Sequence, residues 1–98
     1  MWILERTDQS PDFGPLTFRL SPGAVKTIGR APRADFIVDM ATVSRLHCRL
    51  TADDERLEVF DLDSTNGTFV NDQRVRQGPL APGDRLRVGR VEFGVKRG

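Results

Sequence analysis

Leu57-Glu58-Val59-Phe60-Asp61-Leu62-Asp63-Ser64-Thr65-Asn66-Gly67-Thr68-Phe69-Val70 decides the fold class. Apolar and polar residues alternate in Leu57-Glu58-Val59, an Asn-Gly pair interrupts the run, and a second short strand pattern follows over Thr68–Val70. A period of two turns one face of a strand to a core and the other to solvent. Asn-Gly tolerates the positive φ of a tight turn.

Outward from this stretch the same grammar repeats. Strands are predicted over Trp2–Arg6, Leu16–Leu20, Val25–Gly29, Phe36–Val38, His47–Thr51, Leu57–Leu62, Thr68–Val70, Arg74–Val75, Arg85–Val88 and Val91–Lys96. Breaks fall at Ser10-Pro11, Ser21-Pro22-Gly23, Ala31-Pro32, Ala52-Asp53-Asp54, Asn66-Gly67, Asn71-Asp72, Gly78-Pro79 and Pro82-Gly83-Asp84. These residues tolerate positive φ, fix φ, or bond their own backbone. Val88-Gly89-Arg90-Val91 reads as a tight hairpin, and residues 7–15 read as a flexible early loop. Helix periodicity is almost absent. The pattern predicts an all-β sandwich or barrel.

The chain has 98 residues, enough for one domain with one core. With 38% hydrophobic residues and no long apolar run, a membrane-spanning helix is excluded. Met1-Trp2-Ile3-Leu4-Glu5-Arg6 lacks the basic leader and apolar region of a signal peptide. Cys48 is the only cysteine, which excludes an internal disulfide and fits a reducing, cytoplasmic setting. A net charge of +1 argues against nucleic acid or an anionic membrane as the main partner. Charge is nevertheless uneven: residues 26–50 are mainly basic and residues 53–63 mainly acidic, which solvated loop tips and strand faces explain for most positions.

Three motifs lie where strand patterns stop: Gly29-Arg30, Ser44-Arg45-Leu46-His47 and Ser64-Thr65-Asn66-Gly67-Thr68. Together they offer guanidinium groups, hydroxyls and an amide, which suits a phosphate ester carried on a peptide. Gly29 permits unusual backbone or close packing, so that Arg30 is directed outward. Arg33 has no tie to the other motifs and reads as a solvated charge. Ser44 and His47 do not make a hydrolase site, because no nucleophile-elbow glycines flank the serine. A metal site fails as well, since His47 is the sole histidine. Ser44 and Arg45 then read as anion ligands, with His47 as a structural residue bonding the loop. The Asn66-Gly67 turn is either a plain hairpin turn or a place where Thr65 and Asn66 meet a peptide, whose C=O and N–H an amide can pair.

The run Ile28-Gly29-Arg30, Asp35-Phe36-Ile37-Val38, Val43-Ser44-Arg45-Leu46-His47-Cys48 and Val59 through Asn71 resembles a forkhead-associated (FHA) domain. The signature covers residues 25–76, and no signature position departs from it. The resemblance implies a single domain over residues 1–98, an FHA/SMAD-like β-sandwich of about eleven strands with apical loops that bind phosphothreonine peptides. This family's use of basic clusters for phospho-motifs is a known recognition mode. By resemblance, Arg30 and Ser44 are the main phosphate ligands and Arg45 also contacts phosphate. Thr65 bonds the phosphate or lines the methyl pocket, and Asn66 grips the peptide backbone. Gly29, His47 and Gly67 support the loops. Thr42 and Val43 lie where relatives read the third residue after the phosphothreonine.

The implied function is a non-enzymatic phosphopeptide-binding signalling module. Its partner is a phosphothreonine-containing protein, the product of a Ser/Thr kinase, and no cofactor or metal is called for. The alternative is a phosphate-independent scaffold of the same fold, docking through a sheet face with Phe60 and Phe69 as exposed contacts.

Overall fold

The computed structural model describes residues 1–8 and 15–98. Its strands are β1 (Trp2–Arg6), β2 (Thr17–Leu20), β3 (Val25–Gly29), β4 (Phe36–Ile37), β5 (Cys48–Ala52) and β6 (Leu57–Asp61), followed by β7 (Thr68–Val70), β8 (Gln73–Arg74), β9 (Gln77–Leu80), β10 (Arg85–Val88) and β11 (Val91–Arg97). One sheet has the order β2-β1-β11-β10-β7-β8 and the other β4-β3-β5-β6-β9. The short β3–β4 pairing is parallel, whereas the long β1–β11 and β5–β6 ladders are antiparallel.

The alternation in the sequence is what packs the two sheets together. Leu57 and Val59 of β6 are buried while Glu58 between them is turned outward. Cys48, Leu50 and Ala52 of β5 meet them from the neighbouring strand, and Leu86, Val88, Val91, Phe93 and Val95 face them from the opposite sheet. Each fully buried aliphatic or aromatic side chain of this kind contributes about 1.5–3 kcal/mol relative to an exposed one. Phe18 of β2 and Phe36 of β4 stack with ring centroids 4.4 Å apart, which closes the sandwich where two sheet edges meet.

Two sequence expectations change. Gly78-Pro79, expected as a break, lies inside β9, which pairs with β6 in the register Phe60↔Gln77 to Leu57↔Leu80. Proline is tolerated because β9 is an edge strand, where one side of the backbone needs no ladder bond. The Asn66-Gly67 turn is not a hairpin, since it carries the chain from β6 in one sheet to β7 in the other. True two-residue hairpins occur at Gly89-Arg90, between paired Val88 and Val91, and at Asn71-Asp72, between paired Val70 and Gln73. Ser10-Pro11 and most of the early loop expected over 7–15 lie outside the described residues.

Phe60 and Phe69 are not the exposed contacts expected of them. Both are half-buried, and the Arg49 and Arg87 guanidinium carbons lie 4.9 and 3.9 Å from their ring centroids. Among the described residues, the large hydrophobic side chains that do face solvent are Met1, Val25 and Ile37.

Candidate functional site

Strand register gathers the three motifs at one end of the sandwich. Ile28 pairs with Cys48 and Cys48 with Asp61 in one sheet, while Val88 pairs with Thr68 in the other. The loops after β3, before β5 and after β6 therefore emerge beside the β10–β11 turn. Gly89 N–H donates to the Gly67 carbonyl at 3.2 Å, which joins that turn to the β6–β7 crossover.

The backbone fixes Arg30 before any side chain does. Arg30 and Ala31 N–H donate to the carbonyls of Ser44 and Arg45 at 2.9 and 3.1 Å. A Cβ on Gly29 would overlap the Arg45 carbonyl oxygen, so glycine is required here for close approach. Arg30 is exposed, and its Nε donates to the Val43 carbonyl at 3.1 Å. That bond holds the guanidinium against the loop carrying Ser44. Its remaining donors have no protein partner among the described residues.

Ser44 Oγ accepts the N–H of Thr65 at 3.0 Å, which links the second motif to the third and leaves the hydroxyl proton free to donate. Asn66 Nδ2 donates to the Thr42 carbonyl at 2.9 Å, leaving a second N–H and the Oδ1 acceptor. Arg45, Thr65 and Asn66 are exposed. The crown thus presents two guanidinium groups, a serine hydroxyl, a threonine and an amide on loops that bond to one another.

His47 lies beneath them, fully buried. Its Nδ1 accepts the Ser44 N–H at 3.0 Å, so Nε2 carries the hydrogen and donates to the Gly67 carbonyl at 2.8 Å. Burial pushes the imidazole pKa down, against the opposing pull of the Gly67 carbonyl and Asp61. The ring is neutral at pH 7 and spends both nitrogens on the backbone. It has no free nitrogen with which to activate the Ser44 hydroxyl as a nucleophile. Gly67, at φ 92, completes this support, because its carbonyl also receives the Gly89 bond.

Sequence reasoning missed Asp61. Its carboxylate accepts from the Ser64 hydroxyl, from the Thr68 hydroxyl at 2.8 Å and from the Ser64 N–H at 3.2 Å. Burial opposes its ionisation, and these hydrogen bonds outweigh it, so its pKa is held below the usual value. The available signal was Asp followed three residues later by Ser, the pattern of a side chain that closes its own turn.

Val43, expected beside Thr42 as a specificity residue, has its side chain buried in the core, so it anchors the loop from below. Thr42 is half-buried and already bonded at two atoms: its carbonyl accepts from Asn66, and its Oγ1 accepts the Arg90 N–H at 3.1 Å.

The profile of the FHA domain matches residues 26–89. The chain belongs to the FHA domain family. This FHA domain is 37% identical over 70 residues to the glycogen accumulation regulator GarA of Mycobacterium tuberculosis, a match covering 71% of the chain and 43% of the relative. It therefore spans less than half the length of that protein. Among solved structures, one from a study of phosphothreonine-dependent FHA domain interactions superposes with a TM-score of 0.86 at 35% identity, covering 99% of this chain and 96% of the other. The FhaA FHA domain, in complex with the intracellular domain of a second protein, superposes with a TM-score of 0.85 at 35% identity, covering 98% and 100%.

Proposed function

We propose that residues 1–98 act as one non-enzymatic FHA module that binds phosphothreonine-containing segments of other proteins, the products of a Ser/Thr kinase. The observation that carries this reading is the set of unspent donors on mutually bonded loops. Arg30 is held through Nε with its other N–H groups free, and Ser44 accepts from Thr65 with its own proton free. In this reading Arg30, Ser44 and Arg45 take the phosphate, Thr65 lies beside the threonyl methyl, and the open face of Asn66 pairs the peptide backbone.

A phosphothreonine carries about −1.5 to −2 charges at neutral pH. Hydrogen bonds to such a charged group contribute about 1.5–3 kcal/mol each before desolvation and ordering costs. Micromolar affinity, about −8 kcal/mol, follows for short peptides. Cys48 is buried and its thiol pKa is pushed well up, so it is an inert core residue that fits a reducing cytoplasm. No helix of the described residues is long and apolar enough to cross a membrane.

The test is calorimetry on one peptide in three forms: unphosphorylated, phosphoserine and phosphothreonine. The unphosphorylated form should not bind measurably. Phosphothreonine should exceed phosphoserine by about tenfold, because burying a methyl is worth about 0.8 kcal/mol and Cβ branching lowers the ordering cost. Equal binding of phosphorylated and unphosphorylated peptide would overturn the function. Equal binding of the two phosphorylated forms would remove only the methyl pocket.

A further inference from the structure

We infer that Arg90, at the tip of the β10–β11 hairpin, is a specificity residue that reads a second anionic group on the phosphopeptide. The inference rests on the phosphothreonine reading of the same crown. Of the two positions of the β4–β5 loop expected to read ligand sequence, Val43 turns its side chain into the core, and Thr42 is held at its carbonyl and its hydroxyl oxygen by neighbouring loops. The group that occupies the Thr42 hydroxyl is the backbone N–H of Arg90, 3.1 Å away.

The hairpin tip is built to sit there. A Cβ on Gly89 would overlap the Thr42 carbonyl oxygen, and Gly89 has φ 60, so the tip lies against the β4–β5 loop by virtue of glycine. Gly89 N–H also donates to the Gly67 carbonyl beside Asn66. Arg90 is thereby clamped between the loop that carries Ser44 and the crossover that carries Thr65 and Asn66. Its side chain is exposed and makes no ion pair among the described residues. Arg85, by contrast, is paired with Asp72 at 3.2 Å.

A fixed backbone with an unpaired guanidinium at the rim suits recognition of an anion near, but not at, the phosphothreonine. Two chemical sources share that charge, an Asp or Glu side chain and a second phosphorylated residue. A rim contact of this kind changes affinity by a few-fold, about fivefold at its upper end.

Fluorescence polarisation on the whole domain tests the inference with phosphothreonine peptides that differ only in their flanks: neutral, Asp-rich, Lys-rich, or bearing a second phosphoserine. The wild type should prefer one or both anionic flanks over neutral by about fivefold at low salt, with the preference shrinking as salt rises. Which anionic arm gains more identifies the source. Arg90→Ala should bring that ratio close to one, Arg90→Lys should keep part of it, and Arg90→Glu should favour the Lys-rich flank. Thr42→Val retains Arg90 but removes its anchor, and should also lower the ratio. An anionic preference that persists in Arg90→Ala, or a wild type that binds phosphothreonine with no such preference, overturns the role of Arg90 while leaving the phosphothreonine reading intact. A wild type that binds no phosphopeptide condemns that underlying reading instead.

Discussion

Two aspartates close turns at opposite ends of the sandwich, and they show how differently the ends are built. Asp53, between β5 and β6, accepts the N–H groups of Glu55 and Arg56 at 2.8 and 2.6 Å, all within its own exposed turn. Asp61, at the crown, accepts from Ser64 and from buried Thr68. From there the bonds continue between loops: the Ser64 hydroxyl takes the Gly67 N–H at 3.1 Å, and the Gly67 carbonyl takes His47 and Gly89. The basal turn is local and replaceable by water. The crown is one coupled unit, and that coupling is what keeps the exposed Arg30, Thr65 and Asn66 in place without packing them.

The largest stability effect should come from removing the centre of that unit. His47→Ala deletes both imidazole bonds, strands the Ser44 N–H, and leaves a cavity at a fully buried site. A loss of about 3 kcal/mol is expected, seen as a melting temperature lower by at least about 12 °C. Peptide binding should weaken as well, through a loosened loop. A change below about 1 kcal/mol would break the distinction between the two ends. The same residue sets a pH dependence. Its folded-state pKa lies below the unfolded value near 6.5, so the unfolded chain binds the proton more readily. The stability His47 contributes is complete above that pH and declines as pH falls toward and through the depressed folded pKa. Urea titrations between pH 7.5 and 5 should show this decline in the wild type and not in His47→Gln.

Arg30→Ala should do the reverse, removing function while leaving the fold. The side chain is exposed and makes one hydrogen bond to the protein among the described residues, to the Val43 carbonyl, so the melting temperature should scarcely move. Affinity for a phosphothreonine peptide should fall about a hundredfold, roughly 2.7 kcal/mol. Arg30→Lys should recover less than tenfold of this, because an ammonium does not reproduce paired guanidinium geometry. Unchanged affinity in Arg30→Ala, measured by calorimetry, would remove Arg30 from the site and with it the crown's main cation.

The contrast between the ends also marks what could be read in the sequence. Strand alternation is local, so β1, β3, β6, β7 and β10 emerge with bounds correct or within a residue of those observed. β9 was hidden because Gly78 and Pro79 are turn formers by themselves, and only its place at a sheet edge makes them acceptable. Family resemblance singled out Arg30, Ser44 and Asn66 by their side-chain chemistry, and the loops that carry them bond to one another at the crown. Asp61 and the bond that ties Thr42 to Arg90 were not legible, because such bonds join segments that only the fold brings together. The Arg90–Thr42 bond joins positions 48 residues apart. Likewise the inward turn of Val43 is fixed by packing between sheets, which no short motif records.

Asp61→Ala should cost about 2 kcal/mol, less than loss of His47. Its main consequence is the buried Thr68 hydroxyl left without its acceptor, with the Ser64 bonds lost at a partly buried position. Thermal unfolding gives the stability loss. A companion calorimetric titration should show weaker phosphopeptide binding, because Ser64 no longer fixes the turn bearing Thr65 and Asn66. Normal binding in a destabilised Asp61→Ala would show that the crossover keeps its shape through His47 and Gly67 alone, and would narrow the coupled unit to those two residues.

Asp53→Ala is the matched control at the other end, with the smallest expected effect. Its carboxylate also accepts two backbone N–H groups, those of Glu55 and Arg56, and these bonds hold its pKa below the usual value. The sign of the linkage is therefore the same as for Asp61: any stability contributed is present above the ordinary carboxylate pKa and disappears as pH falls through the lower folded value. What differs is the fate of the orphaned donors. Glu55 and Arg56 are exposed, so water replaces the lost acceptor and no buried group is stranded. The Asp53 carbonyl, which accepts the Trp2 indole N–H at 3.0 Å, is a backbone group and survives the substitution. Asp53→Ala should leave both the melting temperature and phosphopeptide affinity close to wild type at pH 7, and only the acid limb of the stability curve should change. A melting-temperature loss matching that of Asp61→Ala would mean that the basal turn is as tightly coupled to the sandwich as the crown.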